Sequence, residues 1–363
     1  DGNKLMLLKL SDLNRCSKKK DVDGDDSDSD SDSESDEETD DPPTLEHLSL
    51  SHPSGGVNRL RVMPEKPIVA TWSDAGVVHL FDLQSQLALL ERNAGKGAAP
   101  GMGGAGGAAA SLRQSKGSFF DYEGHGCEGY ALDWSKVSPG RLVTGDVQGA
   151  IHVWDVEAAT NTPPATTPPS KWSITKHYQA NQSQSVEDLQ WSPTEATVLA
   201  AGECGGMLKI YDTRQKSKPM IEVSATNQQN IDINVIAWNH HVTNLLATGC
   251  DDGTLSVWDL RTFGGGGGSK KEPLPLARFT SHAKPITSVE WHPTDESMIV
   301  CSDEDATFVY DLSIEEEEDA KAKPTNPQED IPPQLLFVHC GSQFTKEVHW
   351  HPQIPSMLMT TSQ

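Results

Sequence analysis

An aromatic residue followed by aspartate recurs at the end of short apolar runs, and this repeat constrains the fold more than any other feature. The five dipeptides are Phe81-Asp82, Trp154-Asp155, Tyr211-Asp212, Trp258-Asp259 and Tyr310-Asp311. Upstream of the last four, at a distance of 20 or 21 residues from the aspartate, stand Trp134, Trp191, Trp238 and Trp291. Val62 takes the tryptophan position of the first unit. A fixed inner spacing indicates that one supersecondary unit is repeated along the chain.

A turn rich in glycine and acidic residues lies between the two markers of each unit. The turns are residues 73–76, 145–149, 202–205, 251–253 and 302–305. Polar and apolar residues alternate on both sides, as in residues 255–258, so each unit is predicted to be strand, tight turn, strand. The spacing between units varies while the inner spacing does not. Blades of a β-propeller with insertions at one edge have this property.

This pattern resembles the WD-repeat family from Val57 onward. A sixth marker, Trp350-His351-Pro352, begins another blade, and residues 4–10 have the character of a strand from a seventh. The resemblance therefore implies an all-β fold, a seven-bladed WD40 β-propeller with five complete and two partial blades. We expect one propeller over residues 1–363, with incomplete N- and C-terminal blades.

Five insertions are predicted between the strands. Residues 21–41 contain thirteen acids and no base, and a segment that repels itself and has almost nothing apolar to bury stays disordered. The predicted insertions are an acidic disordered segment (18–44), a Gly/Ala-rich loop (94–117), a Pro-rich loop (160–170), a Gly-rich loop (264–272) and an acidic loop that ends in two prolines (313–333).

Charge and composition exclude several classes of function. Lys and Arg number 29 against 53 Asp and Glu, a net charge of −24, which repels nucleic-acid phosphates and attracts basic proteins. We therefore expect no direct sequence-specific nucleic-acid binding. No apolar run is long enough to span a bilayer, so no membrane partner is expected.

The residue types of catalytic and metal sites do not occur at recognisable spacing. The six cysteines form no CxxC pair, which favours reduced thiols in the cytosol or nucleus. Most histidines, among them His125 and His282, fall at repeat positions and are predicted to form hydrogen bonds within blades. We expect a monomer that is not an enzyme and has no cofactor or metal.

Three segments narrow the family resemblance. Residues 57–60, 125–134 and 332–339 resemble the branch that includes the retinoblastoma-binding histone chaperones. Within it, the acidic insertion at 21–41 is similar to that of the glutamate-rich WD-repeat proteins, a ribosome-assembly group. The resemblance implies a dedicated chaperone of a basic client, ribosomal protein three of the large subunit. Delivery to pre-60S particles would place it in the nucleus and nucleolus, with a cytoplasmic pool.

The same resemblance implies residues that bind the client at the central channel. Asn58, Glu128, Tyr130 and Glu187 match positions where the histone-binding relatives read a basic peptide. Carboxylates would form charge-assisted hydrogen bonds to Lys or Arg, and Tyr130 would offer its ring to a cation. Pro285 and Thr287 stand where those relatives carry an acid and an aromatic, a departure from their groove.

The two acidic segments are the other predicted client contacts. The first either shields a basic client from RNA or only keeps the chain in solution. The second matches a loop that in the histone-chaperone relatives grips a basic helix of the client, or it is only a solvated hairpin tip. The predicted contact residues are Asp25, Asp26, Asp28, Asp30, Asp32, Glu34, Asp36, Glu37 and Glu38 in the first segment, and Glu315, Glu316, Glu317, Glu318, Glu329 and Asp330 in the second.

Two alternative functions remain open. Histones and ribosomal proteins are both small and strongly basic, so the chain is alternatively a histone-binding chaperone or a chromatin-complex subunit. Arg214 and Arg261 each follow an aromatic-Asp dipeptide by two residues. This short box is used by some WD proteins to dock a ubiquitin-ligase adaptor, which makes a substrate receptor the further alternative.

Overall fold

The computed structural model describes residues 3–11, 44–53, 55–93, 117–156, 172–179, 184–215, 218–226, 231–264, 273–315 and 331–362. The chain forms two compact units. The hairpin unit comprises Asp1–Ser54 and Leu83–Ser118, and the blade unit comprises Gly55–Asp82 and Phe119–Gln363. No helix in the described ranges has both the length and the apolar character that crossing a bilayer requires.

In the residues that the structure describes, the hairpin unit contains two antiparallel strands and one helix, which are β1 (Lys4–Ser11), β2 (Thr44–Ser51) and α1 (Gln84–Asn93). Leu5 and Leu50 are cross-strand partners, and both are buried. The ammonium of Lys9 donates to the Leu90 carbonyl at 3.3 Å, which ties the strands to the helix. The sequence analysis predicted the first strand but not the helix.

The blade unit contains, among its described residues, five four-stranded antiparallel sheets and one two-stranded sheet, numbered here as blades 1 to 6. In chain order the strands are β3 (Val57–Val62), β4 (Ile68–Ser73), β5 (Val78–Asp82) and β6 (Phe120–Tyr122) in blade 1; β7 (Ala131–Trp134), β8 (Leu142–Gly145), β9 (Ala150–Val156) and β10 (Trp172–Gln179) in blade 2; β11 (Val186–Trp191), β12 (Val198–Glu203), β13 (Met207–Asp212) and β14 (Ile221–Ser224) in blade 3; β15 (Ile233–Trp238), β16 (Leu245–Cys250), β17 (Leu255–Asp259) and β18 (Ala277–Phe279) in blade 4; β19 (Ser288–Trp291), β20 (Met298–Ser302), β21 (Ala306–Asp311) and β22 (Leu335–Cys340) in blade 5; and β23 (Glu347–Trp350) and β24 (Leu358–Thr361) in blade 6. Short 3-10 helices span Cys204–Gly206 and Leu260–Gly264.

The predicted strand–turn–strand unit is confirmed in blades 1 to 5. The first strand of each blade ends at the tryptophan marker or Val62, and the third contains the aromatic-Asp dipeptide at or near its end. The glycine-rich and acidic turns join the second and third strands. Of the fourth strands, only β22 was anticipated from the sequence.

The hydrophobic core lies between adjacent blades, where the facing sides of neighbouring sheets are buried against each other. Val143 and Ile151 of blade 2, for example, share one buried cluster with Leu189 and Trp191 of blade 3. Each such side chain removed from water contributes about 1.5–3 kcal/mol relative to leaving it exposed. Burial of these facing sides therefore holds the blades side by side.

A glycine near the end of the second strand lets neighbouring blades approach closely. A Cβ atom on Gly145 would lie 2.7 Å from a side-chain atom of Val186 in the next blade. The equivalent Gly202 would meet Ile233 at the same distance. Since real Cβ contacts are not this short, the glycine in the predicted turn pattern serves blade packing as well as the turn.

Hydrogen bonds between inner strands repeat along the blade unit. In three blade pairs, the residue before the inner-strand tryptophan accepts the backbone N–H of the next blade's tryptophan. These bonds join Trp191 to Asp133 (2.7 Å), Trp238 to Gln190 (2.7 Å) and Trp350 to Glu290 (3.0 Å). We call them the inter-blade hydrogen bonds. In these three pairs they fix the position of one inner strand relative to the next along the channel.

A charged cluster joins the first and last inner strands. Arg59 and Arg61 on β3 contact the Glu347 carboxylate on β23 at 3.4 and 3.1 Å. His349, two residues further along β23, lies 3.0 Å from Glu290 and 3.1 Å from Glu347. Because strands at the two ends of the blade series meet in this way, the six inner strands surround a common channel.

The pKa values in the charged cluster favour its ionised form. Burial opposes the charge on Glu347, but the hydrogen bond from His349 and the two arginines hold its pKa well below the ordinary range. Burial likewise lowers the pKa of His349, but Glu290 and Glu347 raise it to about 9. The His349 imidazole is therefore protonated at neutral pH.

Histidines at repeat positions bind the blade turns, as predicted. His125 lies 2.7 Å from the Asp146 carboxylate through Nδ1 and 2.8 Å from the Thr144 hydroxyl through Nε2. The Trp154 indole N–H donates to the same hydroxyl at 2.9 Å. Blade 2 thus has a buried chain of four polar side chains that joins strands β8 and β9, the turn between them and the loop before β7.

Blade 5 has a shorter version of this chain. Nδ1 of His282 lies 2.9 Å from Oδ2 of Asp303, and Nε2 lies 2.8 Å from the Cys301 sulfur. The other oxygen of Asp303 accepts the backbone N–H groups of Asp305 and Ala306, both at 2.8 Å. One buried carboxylate therefore satisfies three donors.

We expect Asp303→Ala to lower the free energy of unfolding by about 3 kcal/mol, because three buried donors lose their acceptor. Urea denaturation measures the loss as a lower midpoint concentration. The dependence of the unfolding free energy on urea concentration should stay unchanged. Asp252→Ala is the matched control, since this exposed residue of the blade 4 turn accepts one backbone N–H, from Thr254 at 3.0 Å. Its expected cost is below about 1 kcal/mol, and equal losses would contradict the assigned role of Asp303.

The charged cluster predicts a pH dependence of stability. The pKa of His349 in the folded chain lies above the ordinary histidine value of about 6.5, so its contribution is complete below that pH and is lost as the pH rises through about 9. Between pH 6.5 and 9.5 the melting temperature should fall further in the parent chain than in His349→Gln, by about 2 °C.

Thermal unfolding followed by circular dichroism provides this measurement. His47→Gln is the control, because His47 is exposed on β2 and its removal should leave the pH dependence unchanged. Identical pH dependence in the parent chain and His349→Gln would show that the cluster does not contribute.

Candidate functional site: the channel mouth

Six residues, one at the start of each inner strand, surround one end of the channel. Each stands four positions before the tryptophan marker or Val62, so the strand register brings all six to the same height. These rim residues are Asn58, Tyr130, Glu187, Asn234, Thr287 and Lys346. They line a cavity of about 550 Å³, which we call the channel mouth.

The charged cluster forms the floor of the channel mouth. Arg59 and Glu347 line this cavity beneath the rim. A second cavity of about 220 Å³ lies further along the channel and also contains Arg59 in its wall, together with Arg61 and His349. The cluster therefore borders both cavities.

The second cavity has a different chemistry at its open end. Lys136 contacts Nε2 of His240 at 2.9 Å. Burial lowers the pKa of His240 to about 4, and Lys136 lowers it further, so the imidazole is neutral. Glu128 and Glu187, two of the acidic residues predicted to bind the client, stand at the other end.

Two carboxylates stand at the mouth with only neutral hydrogen-bond partners. The Asn58 side-chain amide donates to Glu128 at 3.3 Å, and the Cys204 thiol donates to Glu187 at 3.3 Å. Within the described ranges, neither glutamate takes part in a salt bridge, and both are half-buried. Each retains oxygen atoms that can accept a hydrogen bond from a cation.

The carboxylates at the mouth oppose negative charge on the groups beside them. Burial raises the pKa of the Tyr130 hydroxyl, and the charges of Glu128, Glu187 and Asp74 raise it further. Burial also raises the pKa of the Cys204 thiol, again with a contribution from Glu187. A negative potential disfavours phenolate and thiolate but favours a bound cation.

The opposite side of the mouth is electrically compensated. The Lys284 ammonium lies 2.8 Å from Asp305 and 3.8 Å from Glu304, and Lys346 lies 3.5 Å from Glu304. Lysines and acids of blades 5 and 6 therefore neutralise one another. Glu128 and Glu187, at blades 2 and 3, have no such basic partner among the described residues.

The structure brings the four predicted channel residues together. Asn58, Tyr130 and Glu187 line the mouth, and Glu128 is hydrogen-bonded to Asn58. All four are half-buried, whereas the sequence analysis expected them to be exposed at the rim. Their role in binding a client stays a prediction.

The predicted acidic contacts outside the channel are described at only one position. Glu315 is exposed and lies four residues after the end of β21 in blade 5. The others lie outside the described residues: Asp25, Asp26, Asp28, Asp30, Asp32, Glu34, Asp36, Glu37, Glu38, Glu316, Glu317, Glu318, Glu329 and Asp330.

The two arginines of the proposed adaptor box fold back onto the preceding aspartates. Arg214 is paired with Asp212 at 2.5 Å and Arg261 with Asp259 at 2.6 Å, while 72% and 74% of the arginine side chains remain exposed. These hydrogen bonds lower the pKa of both aspartates to about 2. The pairs are ordered and accessible, and adaptor docking stays a prediction.

Sequence reasoning missed Asn234, Lys346 and the arginines of the charged cluster. The rim residues could have been found by counting four positions back from every tryptophan marker, whereas the sequence analysis took its channel residues from the family resemblance. Within the described part of the chain, no group of three or more His, Cys, Asp or Glu side chains is placed to hold a metal ion.

The family model of the WD domain, G-beta repeat, matches residues 224–259 and 274–311. These ranges cover most of blades 4 and 5. The repeated antiparallel sheets and this match agree with the expected all-β WD40 propeller.

Named relatives extend the similarity over the whole chain. Ribosome assembly protein rrb1 of Schizosaccharomyces pombe is 33% identical over all of this chain and 69% of its own length. Glutamate-rich WD repeat-containing protein 1 of Dictyostelium discoideum is 38% identical over 88% of this chain and 59% of its own. Histone-binding protein MSI1 of Saccharomyces cerevisiae is 24% identical over 75% and 61%.

The chain thus spans about 60 to 70% of the length of these relatives. A full-length match above 30% identity, the repeat model and the blade architecture agree with one another. The chain belongs to the glutamate-rich WD-repeat family of WD40 proteins.

Proposed function

We propose that this protein is a chaperone in ribosome biogenesis that binds a basic protein of the large subunit, ribosomal protein three, and delivers it to pre-60S particles in the nucleolus. The observation that supports this most is the negative channel mouth, where Glu128 and Glu187 have neutral partners and flank the Tyr130 ring. The ribosome-assembly name of a full-length relative points the same way.

Binding of the client begins with electrostatic attraction. The net charge of −24 raises the encounter rate with a basic protein, and this attraction weakens as salt screens it. A Lys or Arg side chain that enters the mouth then donates charge-assisted hydrogen bonds to Glu128 or Glu187, with the Tyr130 ring as a cation–π partner.

The depth of insertion is limited by the floor of the mouth. Arg59 lines that floor beside Glu347. Arg61 instead lines the second cavity, where Asp188 and Asp133 also offset its charge. A basic side chain is attracted by the rim carboxylates and repelled by the Arg59 guanidinium. We therefore place its charged end near the rim, between blades 2 and 3.

The acidic sequence segments would cover client surface beyond the reach of the mouth. Residues 21–41 carry thirteen acids, which can neutralise Lys and Arg side chains that would otherwise bind RNA. In the delivery step, ribosomal RNA phosphates compete with these acids for the client. The client would therefore be released where its RNA binding site is available.

We expect Glu128→Gln combined with Glu187→Gln to weaken binding of the basic ribosomal protein about tenfold or more, since hydrogen bonds to charged groups contribute about 1.5–3 kcal/mol each. The decrease should be largest at low salt. Isothermal titration calorimetry at two salt concentrations measures both effects. Both substitutions keep the side-chain shape.

Glu195→Gln combined with Glu296→Gln is the matched control. Both residues are exposed in turns that follow the inner-strand tryptophans, at the other end of the channel, and the net charge changes equally. This control should bind within about twofold of the parent chain. Equal weakening in both double variants would assign binding to net charge and remove the mouth from the mechanism.

A second candidate is a histone chaperone, favoured by the similarity to a protein named histone-binding. A competition pull-down from nuclear extract at ~0.15 M salt, where weak surface attraction is screened, separates the two. The parent chain is compared with a chain lacking residues 21–41. We expect the parent chain to recover one large-subunit ribosomal protein. The chain lacking residues 21–41 should lose this protein or fail to protect it from RNA.

Recovery of core histones instead, dependent on Glu329 and Asp330, would support the histone candidate and overturn the ribosomal one. Substrate-receptor activity predicts a different result, namely recovery of a ubiquitin-ligase adaptor that is lost on substitution of Arg214 and Arg261.

A further inference from the structure

Phe344 combines two unfavourable properties. Its backbone φ is +56°, in the left-handed region, which costs an L-residue about 1–2 kcal/mol, and 51% of its side chain is exposed to water. Among the described residues, Glu65 is the other non-glycine residue with positive φ. Packing therefore does not explain why an aromatic residue stands here.

Hydrogen bonds immediately after Phe344 hold the backbone in place. The Thr345 N–H donates to the Glu304 carbonyl at 3.0 Å, and the Thr287 hydroxyl donates to the Thr345 carbonyl at 3.1 Å. The Lys346 N–H donates to the Thr361 carbonyl at 2.9 Å. Strain maintained by its surroundings is typical of ligand-binding positions.

The repeat register places Phe344 at the channel mouth. It stands six residues before Trp350, as Glu128 stands six residues before Trp134. Glu128 is hydrogen-bonded to Asn58, the rim residue of the preceding blade. Phe344 holds the corresponding position next to blade 5, whose rim residue is Thr287. The sequence analysis noted that Thr287 stands where the histone-binding relatives carry an aromatic residue.

The surroundings of Phe344 differ from those of Glu128. Lys284, Lys346, Glu304 and Asp305 form ion pairs with one another, so this side of the mouth has little uncompensated charge. An exposed aromatic ring stands among neutralised charges at blades 5 and 6, and free carboxylate oxygens stand at blades 2 and 3. The mouth therefore has one side suited to an apolar group and one suited to cations.

We propose that Phe344 is a specificity-determining residue that binds an aliphatic or aromatic side chain of the client segment whose Lys or Arg residues meet Glu128 and Glu187. This rests on the proposed function and adds to it the chemistry of the segment, which combines apolar and basic residues. A segment with basic residues alone leaves the Phe344 ring in water.

Two short synthetic peptides of equal charge test this. The first contains Lys and Arg separated by Gly and Ser, and in the second one Ser is replaced by Leu. Fluorescence anisotropy with the full chain at ~0.15 M salt measures both affinities. We expect the Leu peptide to bind about tenfold more tightly, as partial burial of one aliphatic side chain allows.

Phe344→Gly should abolish this preference without unfolding the chain, because glycine adopts positive φ freely. Phe344→Tyr keeps the ring and should keep the preference. Val137→Ala, an exposed apolar residue after Trp134, is the control and should also keep it. Glu128→Gln with Glu187→Gln should weaken both peptides and leave their ratio unchanged.

The outcomes separate the two proposals. Equal binding of both peptides to the parent chain, or an unchanged preference in Phe344→Gly, would overturn the role of Phe344 and leave the basic-client function standing. Failure of both peptides to bind would overturn client binding at the mouth, and with it the role of Phe344.

Discussion

The inter-blade hydrogen bonds are the constraint on which the rest of the blade unit depends. Apolar burial holds neighbouring blades together but permits sliding, whereas a bond such as that from the Trp191 N–H to Asp133 fixes one relative height. Because the same register recurs, rim residues four positions earlier reach one level. Asp133 and Glu290 are thereby committed to the scaffold, whereas Glu128 and Glu187 at the mouth take no part in these bonds.

The sequence predicted those features that depend on residues close together in the chain. A turn such as Asp251–Gly253 between alternating runs predicts a hairpin, and the tryptophan and aromatic-Asp markers located the strand ends in five blades. The short outer strands escaped prediction because three or four residues, as in β6 and β18, carry no measurable alternation. Helix α1 follows a blade strand directly and has no marker of its own.

Long-range pairing was beyond prediction for a different reason. Arg61 and Glu347 are 286 residues apart, and periodicity says which residues share a face but not which charges meet across a channel. The family resemblance supplied Asn58, Glu128, Tyr130 and Glu187, which the structure places together. It could not supply Phe344, because the residue matters through its backbone conformation and its exposure. Equivalent repeat positions thus hold an acid at residue 128 and an aromatic at 344, on an otherwise regular scaffold.

The charged cluster also divides the channel into two chemical environments. Arg59 stands in the walls of both cavities, Glu347 lines only the mouth, and Arg61 and His349 line only the second cavity. Under the proposed function, a client segment meets the rim carboxylates first and the cluster only at depth. An internal loop of the client would then enter and leave by the same opening, without a free chain end.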